Sequence, residues 1–197
     1  QATESLARAE SAATRMGTMI GDLLDYARAG GARPRQDDVD VQHVVRAVVD
    51  DLSTAIAAAG ARIEGDAAIR LTGDATLLRA LVQNLVANAI KFTSAAGVEP
   101  HIVIVAETLV GGWRLSVDDN GPGVAPEDRE RVFDLMDRGS SDDVPGLGIG
   151  LSTCQRIVEA HGGSIGIGES ALGGASVWVV LPRPGIASRP TDAVTLE

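Results

Sequence analysis

The chain has 197 residues, 45% of them hydrophobic and 22% charged, which suffices for one core-forming domain with a helical appendage. The formal net charge of −10 argues against nonspecific nucleic-acid binding and against a basic membrane-surface patch. The single cysteine excludes an internal disulfide framework and a cysteine-rich zinc site. No apolar run reaches the ~18 residues of a membrane span. Because the chain starts at Gln1 without a signal peptide, we expect an excerpt of a longer protein.

The first 29 residues carry apolar side chains at helical spacing, which predicts one long amphipathic helix. No second element lies nearby to cover the apolar stripe, so we interpret it as a surface for another chain or for a preceding helix. The alternative is that the helix folds back onto the following domain. Gly30, Gly31 and Pro34 then indicate a linker over residues 31–38.

A globular pattern follows, with helices where apolar residues recur every three to four positions and strands where they alternate. Asp74 is placed to cap the longest helix, because its carboxylate accepts hydrogen bonds from the first free backbone N–H groups. Adjacent strand pairs separated by helices indicate an α+β fold, with one mixed sheet covered on one face by helices. The predicted order is a helix over 39–59, strands over 62–64 and 68–71, a helix over 74–92, strands over 101–107 and 113–117, a short helix over 126–136, a polar segment over 137–146, a helix over 147–160, and strands over 165–167 and 176–181.

The first group of candidate functional residues lies on the 74–92 helix. Asn84, Asn88 and Lys91 are four and three residues apart and therefore share one face, whereas the opposite face is apolar. An amide oxygen is a suitable ligand for Mg²⁺ when phosphates and waters complete the shell, and a lysine beside it neutralises those phosphates. Taken alone, the three side chains also fit a solvent-facing polar stripe.

The second group follows directly after the 113–117 strand. Asp119 is positioned to accept a hydrogen bond from an exocyclic amine, and Gly121 and Gly123 allow the backbone to approach a flat ring closely. A surface turn explains the same residues equally well, because Asp-Asn-Gly and Gly-Pro-Gly both form turns.

The third group is a set of alternate glycines, Gly146, Gly148 and Gly150, that leads straight into a helix. Such glycines expose backbone N–H groups, and a helix N-terminus favours anions. The spacing differs from the Rossmann fingerprint, and no Gly-Lys-Ser/Thr follows as in a Walker A loop. A flexible hinge is the alternative.

Together and in this order, the three groups resemble the N, G1 and G2 boxes of the catalytic, ATP-binding domain of bacterial sensor histidine kinases. The segments that carry the resemblance are NLVANAIKF (84–92), DDNGPG (118–123), GLGIGL (146–151), RVFDLMDRG (131–139, the F box), RIVEAHGGSI (156–165) and GGASVWVVLP (173–182). Residues 1–29, with TRMGTMIGDLLDYAR, resemble the second helix of the dimerisation and phosphotransfer domain. The resemblance implies a Bergerat-type two-layer α/β sandwich with a long N-terminal helix.

The resemblance also implies a role for each matching position. Asn88 would ligate Mg²⁺ with support from Asn84, and Asp119 would bind the adenine amino group. The alternate glycines would form the hinge and phosphate-facing base of a lid over 137–145, in which Arg138 is a phosphate contact. The implied ATP-binding residues are Asn84, Asn88, Lys91, Asp119, Gly121, Gly123, Arg138, Gly146, Gly148 and Gly150.

Two features depart from the family pattern. The family often has a second aromatic residue in the F box, where this chain has Met136, a side chain that is able to fill the same hole. The family's phosphoacceptor histidine lies on the helix that precedes the one at residues 1–29, and we assign that role to none of His43, His101 and His161.

The resemblance implies the catalytic core of a sensor histidine kinase with ATP and Mg²⁺ as cofactors. It would transfer the γ-phosphoryl group to a histidine on an absent helix, for relay to an aspartate of a response-regulator receiver domain. The full-length protein would form a homodimer through the N-terminal helix, and the fragment would be cytoplasmic, with no nucleic-acid or membrane contact. The implied domains are a partial dimerisation helix over 1–30, a linker over 31–38, the ATP-binding domain over 39–184 and a loose tail over 185–197.

Two alternatives remain open at this stage. The first is an ATPase or an anti-sigma serine kinase of the same fold, although those relatives typically carry a glutamate where this chain has Asn84. An amide cannot take the proton that such a glutamate removes. The second is a degenerate module that signals without binding ATP.

Overall fold

The structure is a computed structural model that describes residues 33–136 and 148–183, together with eight helical positions between residues 17 and 29. Two short 3-10 turns, Pro126–Asp128 and Arg131–Phe133, lie in the connection before the last helix. In chain order the remaining elements are β1 (Asp37–Asp40), α1 (Val41–Asp51), α2 (Ser53–Ala59), β2 (Arg62–Asp66), β3 (Arg70–Gly73), α3 (Ala75–Ala95), β4 (His101–Leu109), β5 (Gly112–Asp119), α4 (Gly150–Ala160), β6 (Ser164–Glu169) and β7 (Ala175–Pro182).

The main layer is a five-stranded mixed sheet with the strand order β2-β4-β5-β7-β6. Strands β2 and β4 run parallel, and the three other neighbouring pairs run antiparallel. A separate antiparallel pair, β1 with β3, lies outside this sheet. The predicted α+β architecture with a mixed sheet is therefore confirmed, and it has the two-layer form expected from the resemblance.

Helices α1, α3 and α4 cover one face of the sheet, and the core lies between the two layers. Every second residue of β4 points into that core, while the residues between them are more exposed, as the period of two requires. Aliphatic side chains dominate the core because the chain has few aromatic residues. The largest fully buried side chains are Leu81, Ile102, Ile104, Ile157, Val48, Val82, Val86, Val117, Val158 and Val179.

Three predicted elements differ from the structure. The predicted helix over 39–59 begins at Val41, because the Asp40 side chain accepts a hydrogen bond from the His43 N–H (3.0 Å) and caps α1, and it breaks at Leu52. The residues before the cap are extended, so Asp37 and its neighbours belong to β1 and the linker predicted over 31–38 ends earlier. The segment predicted as a helix over 126–136 instead forms the two 3-10 turns, since the chain is extended again at Asp134.

The described part of the N-terminal helix contacts the domain at its end only. Ala29 is buried, and the Arg156 guanidinium of α4 lies 4.2 Å from the centre of the Tyr26 ring. Ile20 is 60% exposed, and Leu23 and Leu24 are about as exposed. The apolar side chains at these positions are therefore exposed in the single chain, and the partner surface interpreted from the sequence stays a prediction. The other residues of the predicted helix and the tail over 185–197 lie outside the described residues.

Candidate nucleotide-binding site

Helix α3 is the central element of the site, and its start is fixed by Asp74. The carboxylate of Asp74 accepts hydrogen bonds from the N–H groups of Thr76 (3.0 Å), Leu77 (3.2 Å) and Arg35 (3.2 Å). Burial alone would raise the pKa of Asp74, but these three backbone donors together with the Arg35 charge outweigh burial and lower it. The capping role predicted for Asp74 is confirmed.

His161 ties the end of α4 to the start of α3. Its Nδ1 lies 2.7 Å from the carbonyl oxygen of Ile157 and its Nε2 lies 3.1 Å from the backbone nitrogen of Asp74. Nδ1 therefore carries the hydrogen and donates a hydrogen bond to the carbonyl, and Nε2 accepts a hydrogen bond from the Asp74 N–H. Both ring nitrogens therefore hold backbone in place. The two helices that frame the site are thus fixed against each other.

The two asparagines of α3 face the N-terminus of α4. Asn84 and Asn88 are half-buried, and the Asn84 Nδ2 donates to the Ala80 carbonyl (2.9 Å), which directs its Oδ1 away from that carbonyl. A methyl group at Gly150, the first residue of α4, would lie 3.0 Å from Asn84 Oδ1 and 3.4 Å from Asn88 Nδ2. The N-cap residue Ile149 has no side-chain acceptor, so the first N–H groups of α4 lie uncapped beside two amides. The free N–H groups suit an anion such as a phosphate, and the amide oxygens suit the cation that accompanies it.

The third predicted residue of this group, Lys91, lies near the other end of α3. Its ammonium is 4.5 Å from the centre of the neighbouring Phe92 ring, and the side chain is half-buried. The structure therefore brings Asn84, Asn88 and Gly150 together and places Lys91 further along the same helix.

Asp119 ends β5 as a buried carboxylate, only 8% exposed. Its Oδ1 accepts hydrogen bonds from the N–H groups of Gly121 (2.8 Å) and Ala175 (3.0 Å). Burial raises the pKa of Asp119 and the neighbouring Asp118 charge adds to the rise, while the two N–H donors oppose it. Within residues 33–136 and 148–183 no donor reaches Oδ2. One carboxylate oxygen thus fixes the side chain, and the other is left to accept a hydrogen bond from a ligand.

Glycines let the backbone crowd around this carboxylate. A methyl group at Gly174 would overlap both Asp119 Oδ1 and the Gly121 nitrogen, so only glycine lets the start of β7 approach Asp119. A methyl at Gly121 would lie 3.0 Å from Asp119 Oδ1. Gly123 has a φ of +71°, a left-handed turn conformation that glycine adopts without strain. Close approach at Gly121 and a turn at Gly123 are therefore both present.

Sequence reasoning missed three contributors to this pocket. Gly174 permits the close contact with Asp119, and the Ala175 N–H holds the carboxylate, whereas the sequence predicted only a strand over 176–181 here. Thr93 of α3 lies against Gly121 and is fully buried. The available signal for Thr93 was a hydroxyl at a position where helical periodicity calls for an apolar side chain.

The segment expected to form the lid is described only at its ends. The Met136 N–H donates to the Gly148 carbonyl (3.1 Å), and both residues have a left-handed backbone, with φ of +66° and +70°. Met136 is 63% exposed and therefore does not occupy the place of a second buried aromatic residue; Phe133 is the buried residue of the F box. Arg138, Gly146 and the lid over 137–145 lie outside the described residues.

Comparison with known proteins identifies the domain that this geometry belongs to. Residues 73–185 match the family model described as histidine kinase-, DNA gyrase B-, and HSP90-like ATPase. The chain is 36% identical to cyanobacterial phytochrome A of Nostoc sp. over 93% of its own length and 24% of that protein. It is 32% identical to the sensor-like histidine kinase SenX3 of Mycobacterium tuberculosis over 86% of its own length and 42% of that protein.

A solved structure agrees with these sequence relatives. The crystal structure of full-length ShkA in complex with AMPPNP superposes with a TM-score of 0.70 at 31% identity, covering 84% of this chain and 35% of ShkA. The chain thus spans less than half the length of these two curated relatives and of ShkA. No helix in the described part of the chain is long and apolar enough to cross a membrane. The chain belongs to the histidine kinase-, DNA gyrase B- and HSP90-like ATPase family, and it contains the ATP-binding catalytic domain of a sensor histidine kinase.

Proposed function

We propose that the chain binds ATP along α3, with the adenine at Asp119 and the phosphates at Asn84 and Asn88. The observation that carries this proposal is that two chemically different binding groups lie at two places along α3. At one end a buried carboxylate held by backbone leaves an oxygen for an exocyclic amine, and at the other two amides meet an uncapped helix N-terminus. Nine residue steps separate Asn84 from Thr93, which borders the Asp119 pocket, and at 1.5 Å per step they span about 14 Å. That length is comparable to an extended nucleoside triphosphate.

The amides fit a magnesium ion that is carried by the phosphates. Asn88 would supply an amide oxygen to Mg²⁺ and Asn84 would support the metal and the phosphates, because neutral oxygen donors suit a small, strongly hydrated cation. Within the described ranges no group of three or more His, Cys, Asp or Glu residues is able to hold a metal ion. Asn88 and Asn84 would therefore need phosphate oxygens and waters to complete the shell of the ion. The ion would neutralise charge on the phosphates.

The chain's own residues favour transfer of the phosphoryl group over hydrolysis. Asn84 stands where a general base would be needed to activate water, and an amide cannot remove a proton. The contribution of the protein is therefore to position the nucleotide and to neutralise its charge, with Lys91 as a further phosphate contact.

The acceptor would be a histidine outside this chain. A nitrogen of its imidazole attacks the γ-phosphorus, the bond to the bridging oxygen breaks, and ADP leaves. Among the histidines of the chain, His161 holds backbone through both ring nitrogens, and His101 Nε2 lies 2.6 Å from Glu64 Oε1. His43 lies exposed on α1, outside the site. We place the acceptor on a helix that pairs with residues 1–30, whose exposed apolar stripe would also join two copies of the full-length protein.

Within the full-length protein, the phosphohistidine would pass its phosphoryl group to an aspartate of a response-regulator receiver domain. The ATP-binding domain would extend over residues 39–184 with β1 added at its start, followed by the tail over 185–197. Arg138, Gly146 and Gly148 would complete the phosphate side of the site from the lid and its hinge.

Calorimetric titration with the non-hydrolysable analogue AMPPNP, with and without Mg²⁺, tests the binding proposal directly. We expect binding that is strengthened by Mg²⁺ in the 197-residue chain. A folded chain that binds no nucleotide in either condition would contradict the proposal and favour a non-catalytic module. Transfer is tested by adding a separate helical hairpin that carries the acceptor histidine, with radiolabelled ATP. Label on free phosphate alone would favour an ATPase instead.

A further inference from the structure

Two backbone segments meet beside the Asp119 carboxylate, and both consist of glycine where they touch. Gly121 and Gly123 belong to the loop after β5, and Gly174 directly precedes β7. A methyl group at Gly174 would overlap the Gly121 nitrogen, and a methyl at Gly123 would lie 3.5 Å from the Gly174 carbonyl oxygen. Glycines offer no side chains to interlock, and they lose much conformational freedom when they are ordered. A side chain that joined the two segments would therefore hold this contact in place.

Arg129 provides such a link. It follows the first 3-10 turn, Pro126–Asp128, and its side chain is 28% exposed. Its Nε donates to the carbonyl of Val124, in the loop after β5 (3.3 Å), and a terminal nitrogen donates to Glu169 Oε1 at the end of β6 (3.0 Å). One guanidinium thus bridges the loop after β5 and the β6–β7 hairpin.

The link meets the hairpin at the position that also holds Asp119. Glu169 pairs directly with Ala175 across the β6–β7 ladder, and the Ala175 N–H donates to Asp119 Oδ1 (3.0 Å). The turn between the two strands is closed by its own backbone, since the Ser170 N–H donates to the Gly174 carbonyl (2.9 Å). A link at Glu169 therefore also fixes Ala175 and its hydrogen bond to Asp119.

We propose that Arg129 is a positioning residue for base recognition, which holds the loop after β5 against the β6–β7 hairpin and so keeps the Asp119 carboxylate turned to the adenine amino group. This inference rests on the proposed nucleotide site. Arg129 acts through Val124 and Glu169, and not through contact with the nucleotide. Exposed ion pairs contribute little to stability, and Glu169 is 85% exposed. The link should therefore affect the geometry of the site more than the free energy of unfolding.

Arg129→Ala tests the proposal in the 197-residue chain, because it removes both bonds of the guanidinium. The affinity for AMPPNP should fall about three- to tenfold, as for the loss of one hydrogen bond. Selectivity for AMPPNP over GMPPNP should fall with it, because Asp119 is the group proposed to distinguish the adenine amino group from the guanine carbonyl. The gain in AMPPNP affinity on adding Mg²⁺ should stay the same, since Asn84 and Asn88 lie on α3, outside this link. The denaturant midpoint of the nucleotide-free chain should change little.

A pH profile distinguishes positioning from a general loss of structure. Burial and the Asp118 charge raise the pKa of Asp119, and the N–H groups of Ala175 and Gly121 lower it. When Arg129→Ala loosens these two hydrogen bonds, the pKa of Asp119 should rise further. The variant should therefore lose AMPPNP affinity on acidification at a higher pH than the unaltered chain does.

Arg114→Ala is the matched control. Arg114 lies near the start of β5, away from Asp119, and pairs with Glu107 (3.9 Å), with both side chains about half exposed. Its removal takes away the same charge and should leave AMPPNP affinity and selectivity unchanged. Glu169→Ala should weaken AMPPNP binding less than Arg129→Ala, because the bond to the loop after β5 remains. The double variant should lose no more affinity than Arg129→Ala alone.

Unchanged AMPPNP affinity in Arg129→Ala would overturn the role of Arg129 and leave the nucleotide site intact. Equal losses of AMPPNP and GMPPNP affinity with a lower denaturant midpoint would also overturn it, since Arg129 would then only stabilise the fold. Additive losses in the double variant would refute the link, because two residues that act through one contact do not add. Failure of the unaltered chain to bind AMPPNP would overturn the proposed function itself.

Discussion

Substitutions at Asp119 distinguish stabilisation of the fold from nucleotide binding, because Oδ1 accepts backbone hydrogen bonds whereas Oδ2 is proposed to accept one from the nucleotide. In Asp119→Asn the amide oxygen is able to keep both hydrogen bonds, from Gly121 and Ala175, that Oδ1 now accepts. The amide nitrogen then takes the place of Oδ2 and presents a donor to the adenine amino group. In Asp119→Ala both backbone N–H groups lose their acceptor as well.

The structure sets different magnitudes for the two variants. A hydrogen bond to a charged group contributes about 1.5–3 kcal/mol, so Asp119→Asn should weaken AMPPNP binding by about tenfold to a hundredfold. Its free energy of unfolding should be unchanged or higher at neutral pH, because burial disfavours the charge that the variant removes. Asp119→Ala should lose nucleotide affinity and also about 1–3 kcal/mol of stability for each of the two buried N–H groups left unpaired.

The raised pKa of Asp119 adds a pH signature. The Asp119 carboxyl group binds a proton more tightly in the folded state than in the unfolded state. Its contribution to the free energy of unfolding therefore falls as pH rises from the ordinary aspartate pKa through the raised pKa. Nucleotide affinity should show the opposite trend, since the carboxylate that accepts from the amine is lost on acidification. Asp119→Asn should abolish both dependences.

Calorimetric titration with AMPPNP and urea unfolding at several pH values measure these effects together. Asp118→Asn is the matched control, because Asp118 is the adjacent residue on the other face of β5, half-buried, with its Oδ2 accepting from the Ser116 hydroxyl (3.2 Å). It should bind AMPPNP like the unaltered chain. The reasoning is refuted if Asp119→Asn keeps full affinity, or if it destabilises the fold as much as Asp119→Ala does.

Three further predictions concern α3 and the helix it faces. Asn88→Ala should reduce AMPPNP affinity in Mg²⁺ to the metal-free value and leave the metal-free value unchanged; a calorimetric titration that keeps the Mg²⁺ effect would exclude Asn88 as the ligand. Gly150→Ala puts a methyl 3.0 Å from the Asn84 amide oxygen and should weaken magnesium-dependent binding, whereas Gly168→Ala, a methyl in open space, should not. Asp74→Ala should lose about 1–2 kcal/mol of unfolding free energy at pH 7. Because the pKa of Asp74 is lowered in the fold, that difference should shrink as pH falls through the lowered pKa, and a constant difference in urea unfolding would contradict the capping role.

Periodicity predicted the long central helix and the β4–β5 hairpin because local pattern and tertiary structure agree there. Strand β1 was not predictable in the same way. Its sequence, DDVD, has three acidic residues and little strand propensity. It forms because Val39 is buried and because the Arg70 guanidinium of β3 pairs with the Asp38 carboxylate (2.9 Å) from 32 residues away. Both contacts exist only after the chain has folded.

In the candidate site too, some residues were predictable from the sequence and others depend on tertiary contacts. The order of three motifs along the chain pointed to Asn84, Asn88 and Asp119, whose residue types reveal their chemistry. The residue types of Gly174 and Thr93 do not indicate a role in the site. Gly174 matters because β7 approaches a carboxylate 55 residues earlier in the chain, and Thr93 matters because α3 ends against Gly121. Contacts of this kind depend on how layers pack, which neither spacing nor propensity encodes.

The hydrogen bond between the Met136 N–H and the Gly148 carbonyl has a consequence for how this domain is able to diversify. Met136 and Gly148 are the described residues on either side of the intervening segment, and their hydrogen bond holds the two ends of that segment close together. Doubling the length of a flexible loop raises its closure cost by only about 0.6 kcal/mol. A change in the number of residues between Arg138 and Gly146 should therefore cost little folding free energy. Related domains are then free to differ in the length of this segment, provided that the proposed phosphate contacts at Arg138, Gly146 and Gly148 are kept.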